Sequence, residues 1–210
     1  MPRKTHVRSA SSRNGAKSGI RIVARAKLPT RFGPFEILGI EGKNEKESAV
    51  ALLHGPVRSE TPLVRIHSQC LTGDVLASER CDCRAQLEFS LRQIAAAPAG
   101  ILLYLPQEGR GIGLVEKLRA YAMQDSGLDT VEANLALGHP ADRREYGIGS
   151  QILYDLGVRK MRILTNNPRK YHGVEGIGLE VVEQVPIKTP SNPHNERYLR
   201  TKKEKLGHLL

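Results

Sequence analysis

The first third of the chain alternates short apolar runs with Gly and Pro, and after Cys83 the apolar positions shift to helical spacing. IRIVARAKLP, PFEILGI, SAVALLHG and TPLVRIHSQ are rich in Val, Ile and Leu and bounded by turn formers, which predicts four strands. Leu87, Leu91 and Ile94 recur at three- and four-residue intervals before Pro98 and predict a helix over 84–96. ILLYL (101–105) reads as a buried strand and QEGRGIG as the turn after it. Val115, Leu118 and Ala122 would share one face of a helix that ends near Gly127, and Thr130 would cap a short helix through Leu137. Ile148, Ile152 and Leu156 mark a further helix, stopped at Gly157. Strands are expected at Arg162–Leu164 and Glu180–Val185, with a polar helix from Asn195 to Leu206. No internal repeat or linker interrupts this order. It predicts one compact α/β domain in which mixed β-sheets are covered by helices.

Composition narrows the class. The 210 residues include nine aromatic side chains and no Trp, so the core must be aliphatic. No apolar run of about 18 residues is present to span a membrane. The net charge of +10 invites a nucleic-acid reading, but its distribution argues against one. Residues 1–27 hold eight Lys or Arg and no acid, which leaves 24 basic against 22 acidic residues in the rest. Residues 1–18 are polar and aperiodic and read as a disordered basic arm; Arg- and Ser-rich, acid-free composition also suits a targeting segment. Residues 19–210 form the expected domain. Three cysteines and no apolar leader suit a reducing compartment, here the cytoplasm.

All three cysteines fall within CLTGDVLASERCDC, as Cys70, Cys81 and Cys83. Three thiolates make a zinc site with one position left for water, the arrangement of a catalytic rather than a structural zinc. Cys83 would begin a helix, where the dipole favours thiolate, and Arg80 and Arg84 could offset the negative charge. Two plainer readings remain open at this level: three buried thiols, or a closed site completed by His67. Three glycines in QEGRGIG would let backbone N–H groups approach an anion beside Arg110, although a plain turn would look the same. ADRREYGIG packs Asp142, Arg143, Arg144 and Glu145 before an apolar helix, for which Asp142 could simply be the N-cap. LTNNPRK ends a strand in polar groups, where α/β sheets bind ligands.

Taken in order, RIHSQCLTGDVLASERCDC, YLPQEGRGIGL, KLRAYAMQD, DTVEANLALGHPADRREYGIGSQIL and LTNNPRK resemble the GTP cyclohydrolase II family, over roughly residues 20–208. The resemblance implies the first step of riboflavin biosynthesis, in a stand-alone form without a fused dihydroxybutanone phosphate synthase domain. GTP would be opened at the guanine imidazole ring with release of formate and pyrophosphate. It implies Zn²⁺ on Cys70, Cys81 and Cys83, Mg²⁺ on the phosphates, and a homodimer. GTP contacts would come from Arg65, Ile66, His67, Ser68, Gln69, Gln86, Glu108, Gly109, Arg110, Thr130, Thr165 and Lys170. Asp142 matches the proton acceptor, Arg144 the nucleophile, and Tyr121 a tyrosine needed for ring opening. If Arg144 acts with Asp142, residues 141–146 should be loop, because positions two apart on a helix do not face each other. Gln69 stands where Glu is common in the family, and Arg84 where Gly is common. The alternative is a paralogue that stops at the formamidopyrimidine or serves another GTP-derived pathway.

Overall fold

The computed structural model describes residues 19–43, 48–168, 170 and 178–209. The basic arm expected over 1–18 lies outside them. The mixed parallel and antiparallel sheet expected is present as a seven-stranded sheet among the described residues, in the order β1-β2-β3-β5-β4-β6-β7. The strands β1 (Arg21–Thr30), β2 (Gly33–Glu41), β3 (Ala49–His54) and β5 (Gly100–Leu105) pair antiparallel, whereas β5, β4 (Leu63–Ser68), β6 (Lys160–Leu164) and β7 (Glu180–Val185) pair parallel.

Strand alternation sorts β4 and β5 onto two cores. Val64, Ile66, Ile101 and Leu103 face Ile152, Leu153 and Leu156, which belong to or follow helix α4 (Gly147–Asp155). Leu63 and Leu102 face Leu91 and Ile94 of helix α1 (Cys83–Ala96). Burying the parallel strands on both faces leaves their carboxyl ends as the open edge of the sheet. From β4 the chain crosses through α1 to β5, and from β5 it returns past β4 to β6, so the connections reverse direction there. Such a reversal opens a crevice at the strand ends.

Three local expectations need correction. Val115 and Leu118 of helix α2 (Leu114–Asp125) are exposed, as is Ala122; its buried residues are Lys117 and Ala120. The side facing the protein meets a polar cleft instead of the aliphatic core, so the apolar stripe points outward. Helix α3 (Thr130–Ala136) is capped by Asp129, whose carboxylate accepts from the N–H groups of Val131 and Glu132 while Glu132 reaches back to the Asp129 N–H. That capping box satisfies end donors that a cap at Thr130 would leave open. Helix α4 begins after Tyr146, not after Asp142, and residues 141–146 are loop, as the pairing of Asp142 with Arg144 requires. Helix α5 (Glu196–Leu206) closes the fold.

Candidate active site

A tight π-helical turn, Leu71–Val75, follows β4 and folds Cys70 back toward Cys81 and Cys83. The reason is local: the Asp74 carboxylate accepts from the Cys70 N–H at 3.0 Å, and the Asp74 N–H donates to the Cys70 carbonyl at 2.7 Å. Gly73 is required beneath the sulfurs. A Cβ there would sit 2.8 Å from Cys81 Sγ and 3.2 Å from Cys70 Sγ. The three sulfurs lie within 4.8 Å of one another. Around a tetrahedral zinc with Zn–S bonds of about 2.3 Å, sulfurs stand about 3.8 Å apart; Cys70 and Cys81 are separated by 3.8 Å. The donor set therefore fits zinc. His67 does not complete it: its Nε2 lies 3.1 Å from both oxygens of Asp74.

The charge next to the sulfurs differs from expectation. Arg84 turns away to Glu88, and Arg80 pairs with Asp125 while its guanidinium lies 4.5 Å from the Tyr121 ring centroid. Lys117 is the cation that reaches in. Its ammonium donates to Cys70 Sγ at 3.2 Å, Thr72 Oγ1 at 2.8 Å and Glu108 Oε1 at 2.7 Å. Hydrogen bonds from the neighbouring thiols, together with Lys117, pull the Cys70 pKa far down despite burial. Sharing with Cys70 pushes Cys81 up to about 11 and Cys83 further above the usual thiol range. Within the trio the downward shift falls on Cys70 and the upward shifts fall on Cys81 and Cys83, driven by sharing among the sulfurs and by burial.

The QEGRGIG turn is tied to this centre. Glu108 accepts from the Leu71 N–H at 2.6 Å, which links the turn to the cysteine segment. Gly109 and Arg110 both take left-handed backbone angles, φ 61° and 60°. A non-glycine residue there costs about 1 kcal/mol, and the conformation directs Arg110 into the cleft.

Across the cleft, Asp142 accepts from Arg144 Nε at 2.9 Å and from a terminal nitrogen at 2.6 Å. Burial alone would lower the Arg144 pKa, but Asp142 outweighs it and the net shift is upward. The same pairing overcomes burial at Asp142 and lowers its pKa. Lys170 is buried, donates to the Ile66 carbonyl at 2.7 Å, and is pushed well down by burial and by Arg65 and Arg144. Arg65 is lowered to about 10, chiefly by burial. Arg65 Nε and His67 Nδ1 are buried without a hydrogen-bond partner, and both residues line the cleft. Buried polar atoms are rarely left so. A crowd of cations with idle polar atoms is a cavity shaped for an anionic, hydrogen-bonding ligand.

Most of the expected contact residues meet here: Arg65, His67, Ser68, Gln69, Gln86, Glu108, Gly109, Arg110, Thr130, Thr165, Lys170, Arg144, Tyr121 and the cysteines all line the cleft. Asp142 stands behind Arg144. Ile66 is the exception, since its side chain belongs to the core and only its carbonyl serves the site, through Lys170. Sequence reasoning missed Lys117, Asp82, Tyr198 and Lys202. No local pattern marks them, because each acts through a partner distant in the chain.

A family model described as GTP cyclohydrolase II matches residues 21–186. Among curated proteins, the riboflavin biosynthesis protein RibBA of Bacillus subtilis is 57% identical over 185 residues, 87% of this chain and 46% of that protein. RibBA of Aquifex aeolicus is 57% identical over 190 residues, covering 90% and 47%. RibBA of Salinispora tropica is 53% identical over 200 residues, covering 94% and 50%. The chain thus spans about half the length of these relatives. No helix among the described residues is long and apolar enough to cross a membrane.

Proposed function

This chain belongs to the GTP cyclohydrolase II family, and we propose that it hydrolyses GTP in riboflavin biosynthesis to formate, pyrophosphate and 2,5-diamino-6-ribosylamino-4(3H)-pyrimidinone 5′-phosphate. One water is consumed for each bond broken: two at the imidazole carbon, one at the α-phosphate. The observation that carries the reading is the convergence of three sulfurs on a cleft lined by Arg65, Arg110, Arg144 and Lys170. The distance between Cys70 and Cys81 supports zinc at the sulfurs, where it would supply Lewis acidity and a nucleophile at neutral pH. The remaining roles fall to the chain itself.

Gln86, Arg65 and His67 would receive the polar edge of guanine beside the sulfurs. The Tyr121 hydroxyl, 3.1 Å from Thr72 Oγ1, would hold a proton next to Cys70 during ring opening. Arg110, Arg144 and Lys170 would bind the triphosphate, together with Mg²⁺. Asp142 fixes the plane of Arg144 and is close enough to accept its proton. Because the pair keeps Arg144 cationic, a charge clamp on the α-phosphate is favoured over attack on phosphorus. A homodimer and a cytoplasmic location belong to the same proposal.

The test is purified protein incubated with GTP, Zn²⁺ and Mg²⁺, with formate and pyrophosphate quantified together. Equimolar release is expected. Pyrophosphate without formate would instead indicate an enzyme that stops at the formamide, and intact GTP would end the reading. GTP labelled at the α-phosphate separates the two roles of Arg144: a covalently labelled protein would overturn the clamp.

A further inference from the structure

The cleft has a wall that lies beyond residues 21–186, the region matched by the family model. Helix α5 and the residues after it bring Tyr198, Lys202 and His208 to its lining. Lys202 reaches across to Asp82, the residue between two of the cysteines. Its ammonium lies 3.0 and 2.9 Å from the two carboxylate oxygens, although the residues are 120 positions apart. Both side chains are almost fully buried, 7% and 1% exposed. The Asp82 carboxylate also accepts from Gln86 Nε2. Gln86 Oε1 in turn accepts from Arg65 at 2.7 Å, and Arg65 donates to the Leu164 carbonyl at 3.1 Å. One line of hydrogen bonds therefore runs from α5, past the cysteines, along the cleft floor to β6.

The same helix is anchored near its start by Arg197, which donates to the Gly127 carbonyl, and again at its C-terminal end. Lys205 pairs with Glu132 at 2.9 Å and with Asp129, next to Thr130, and the Leu209 N–H donates to the Asn166 carbonyl at 2.9 Å. Held this way, α5 presents the Tyr198 ring to the cleft, with the Arg110 guanidinium 5.7 Å from its centroid.

We propose that α5 is a working wall of the nucleotide cleft and that Lys202 is a positioning residue, holding the cysteine segment, Gln86 and Arg65 in place through Asp82. The proposal rests on the GTP reading above and deepens it. Asp82 carries no contact with substrate in this scheme; it transmits the position of α5 to the groups that do. A buried carboxylate needs its counter-ion, so Lys202→Met alone leaves an uncompensated charge. The double variant Asp82→Asn/Lys202→Met removes both charges and keeps the volume, so that folding and positioning can be told apart.

Zinc-loaded parent, Lys202→Arg, Lys202→Met and the double variant are compared for KM and kcat on GTP and for the rate at which a chromogenic chelator withdraws zinc. Loss of an outer partner of a metal site weakens it by about tenfold or more. Lys202→Met and the double variant should lose zinc about tenfold faster, with KM raised more than kcat is lowered, and Lys202→Arg should recover part of both. If Lys202→Met fails to fold, the double variant decides alone. A folded double variant whose KM and zinc withdrawal stay within about twofold of the parent overturns the proposal. A parent that leaves GTP intact sinks the reading of the cleft, while zinc withdrawal still judges Lys202.

Discussion

The ammonium of Lys117 lies 3.2 Å from the sulfur of Cys70 and 2.7 Å from Glu108, so one cation serves both the cysteine centre and the turn that carries Arg110. Lys117→Met should weaken zinc binding by about tenfold or more. It should also cost about 3 kcal/mol of stability, because Glu108 is left buried without its partner. Zinc competition against a chelator of known affinity and thermal unfolding measure the two effects separately. Parent-like zinc affinity in a folded variant would remove Lys117 from the centre.

Gly73→Ala tests the packing beneath the sulfurs. The new methyl would meet Cys81 Sγ at 2.8 Å and the Cys83 Cβ at 3.0 Å. Neither is the loose end of a long side chain, so the cysteine segment must move. Zinc content should drop well below one per chain while circular dichroism keeps the helix signal. Full zinc occupancy in Gly73→Ala would mean that the segment yields at little cost.

Zinc binding should release protons. Within the metal-free trio Cys70 is pulled down while Cys81 is pushed up to about 11 and Cys83 further, so part of the trio holds its protons near neutral pH. Three thiolate ligands then require about two protons to leave, so the apparent zinc affinity should rise about a hundredfold per pH unit below those values. Titration calorimetry in buffers of different ionisation enthalpy counts the protons. A flat pH profile between 6 and 8 would contradict the assigned protonation.

Lys170 carries a stability cost that a nucleotide would relieve. Burial and the nearby Arg65 and Arg144 hold its folded pKa far below the unfolded value. For a lysine shifted this way the cost is full below the folded pKa and fades as pH rises from there toward about 10.4. Lys170→Met should therefore raise the melting temperature of the ligand-free protein while weakening GTP binding. In the parent, binding a polyphosphate should move the Lys170 pKa back upward. A Lys170→Met variant that is less stable and binds GTP normally would refute both halves.

Arg144→Ala should abolish pyrophosphate release and leave a folded protein. Its partner Asp142 is 6% exposed, so losing the counter-ion should also cost about 3 kcal/mol. Arg144→Lys keeps the charge but not the two-pronged grip, and should retain a small fraction of activity. Activity equal to the parent in Arg144→Lys would show that the planar fork is dispensable.

Much of the fold could be read from spacing. Strands of Val, Ile and Leu and the helices over Leu87–Ile94 and Ile148–Leu156 declare themselves because each buries one repeated side against the sheet. The same logic misled at α2. Val115, Leu118 and Ala122 form a proper apolar stripe, yet the stripe faces outward because the inner side of that helix borders a polar cleft. Ile66 shows the converse. It sits among residues expected at the ligand, but strand alternation sends Arg65 and His67 to the cleft side and Ile66 to the core.

By itself the sequence determined the element types, the cysteine trio and the charged turns, since hydrophobic period, sulfur chemistry and glycine conformation act over a few neighbouring residues. Tertiary structure alone decided which cation meets the sulfurs, which carboxylate holds Lys202 and which atoms stay unpaired. Those depend on side chains brought together from positions such as 82 and 202, and on burial, which no local pattern records.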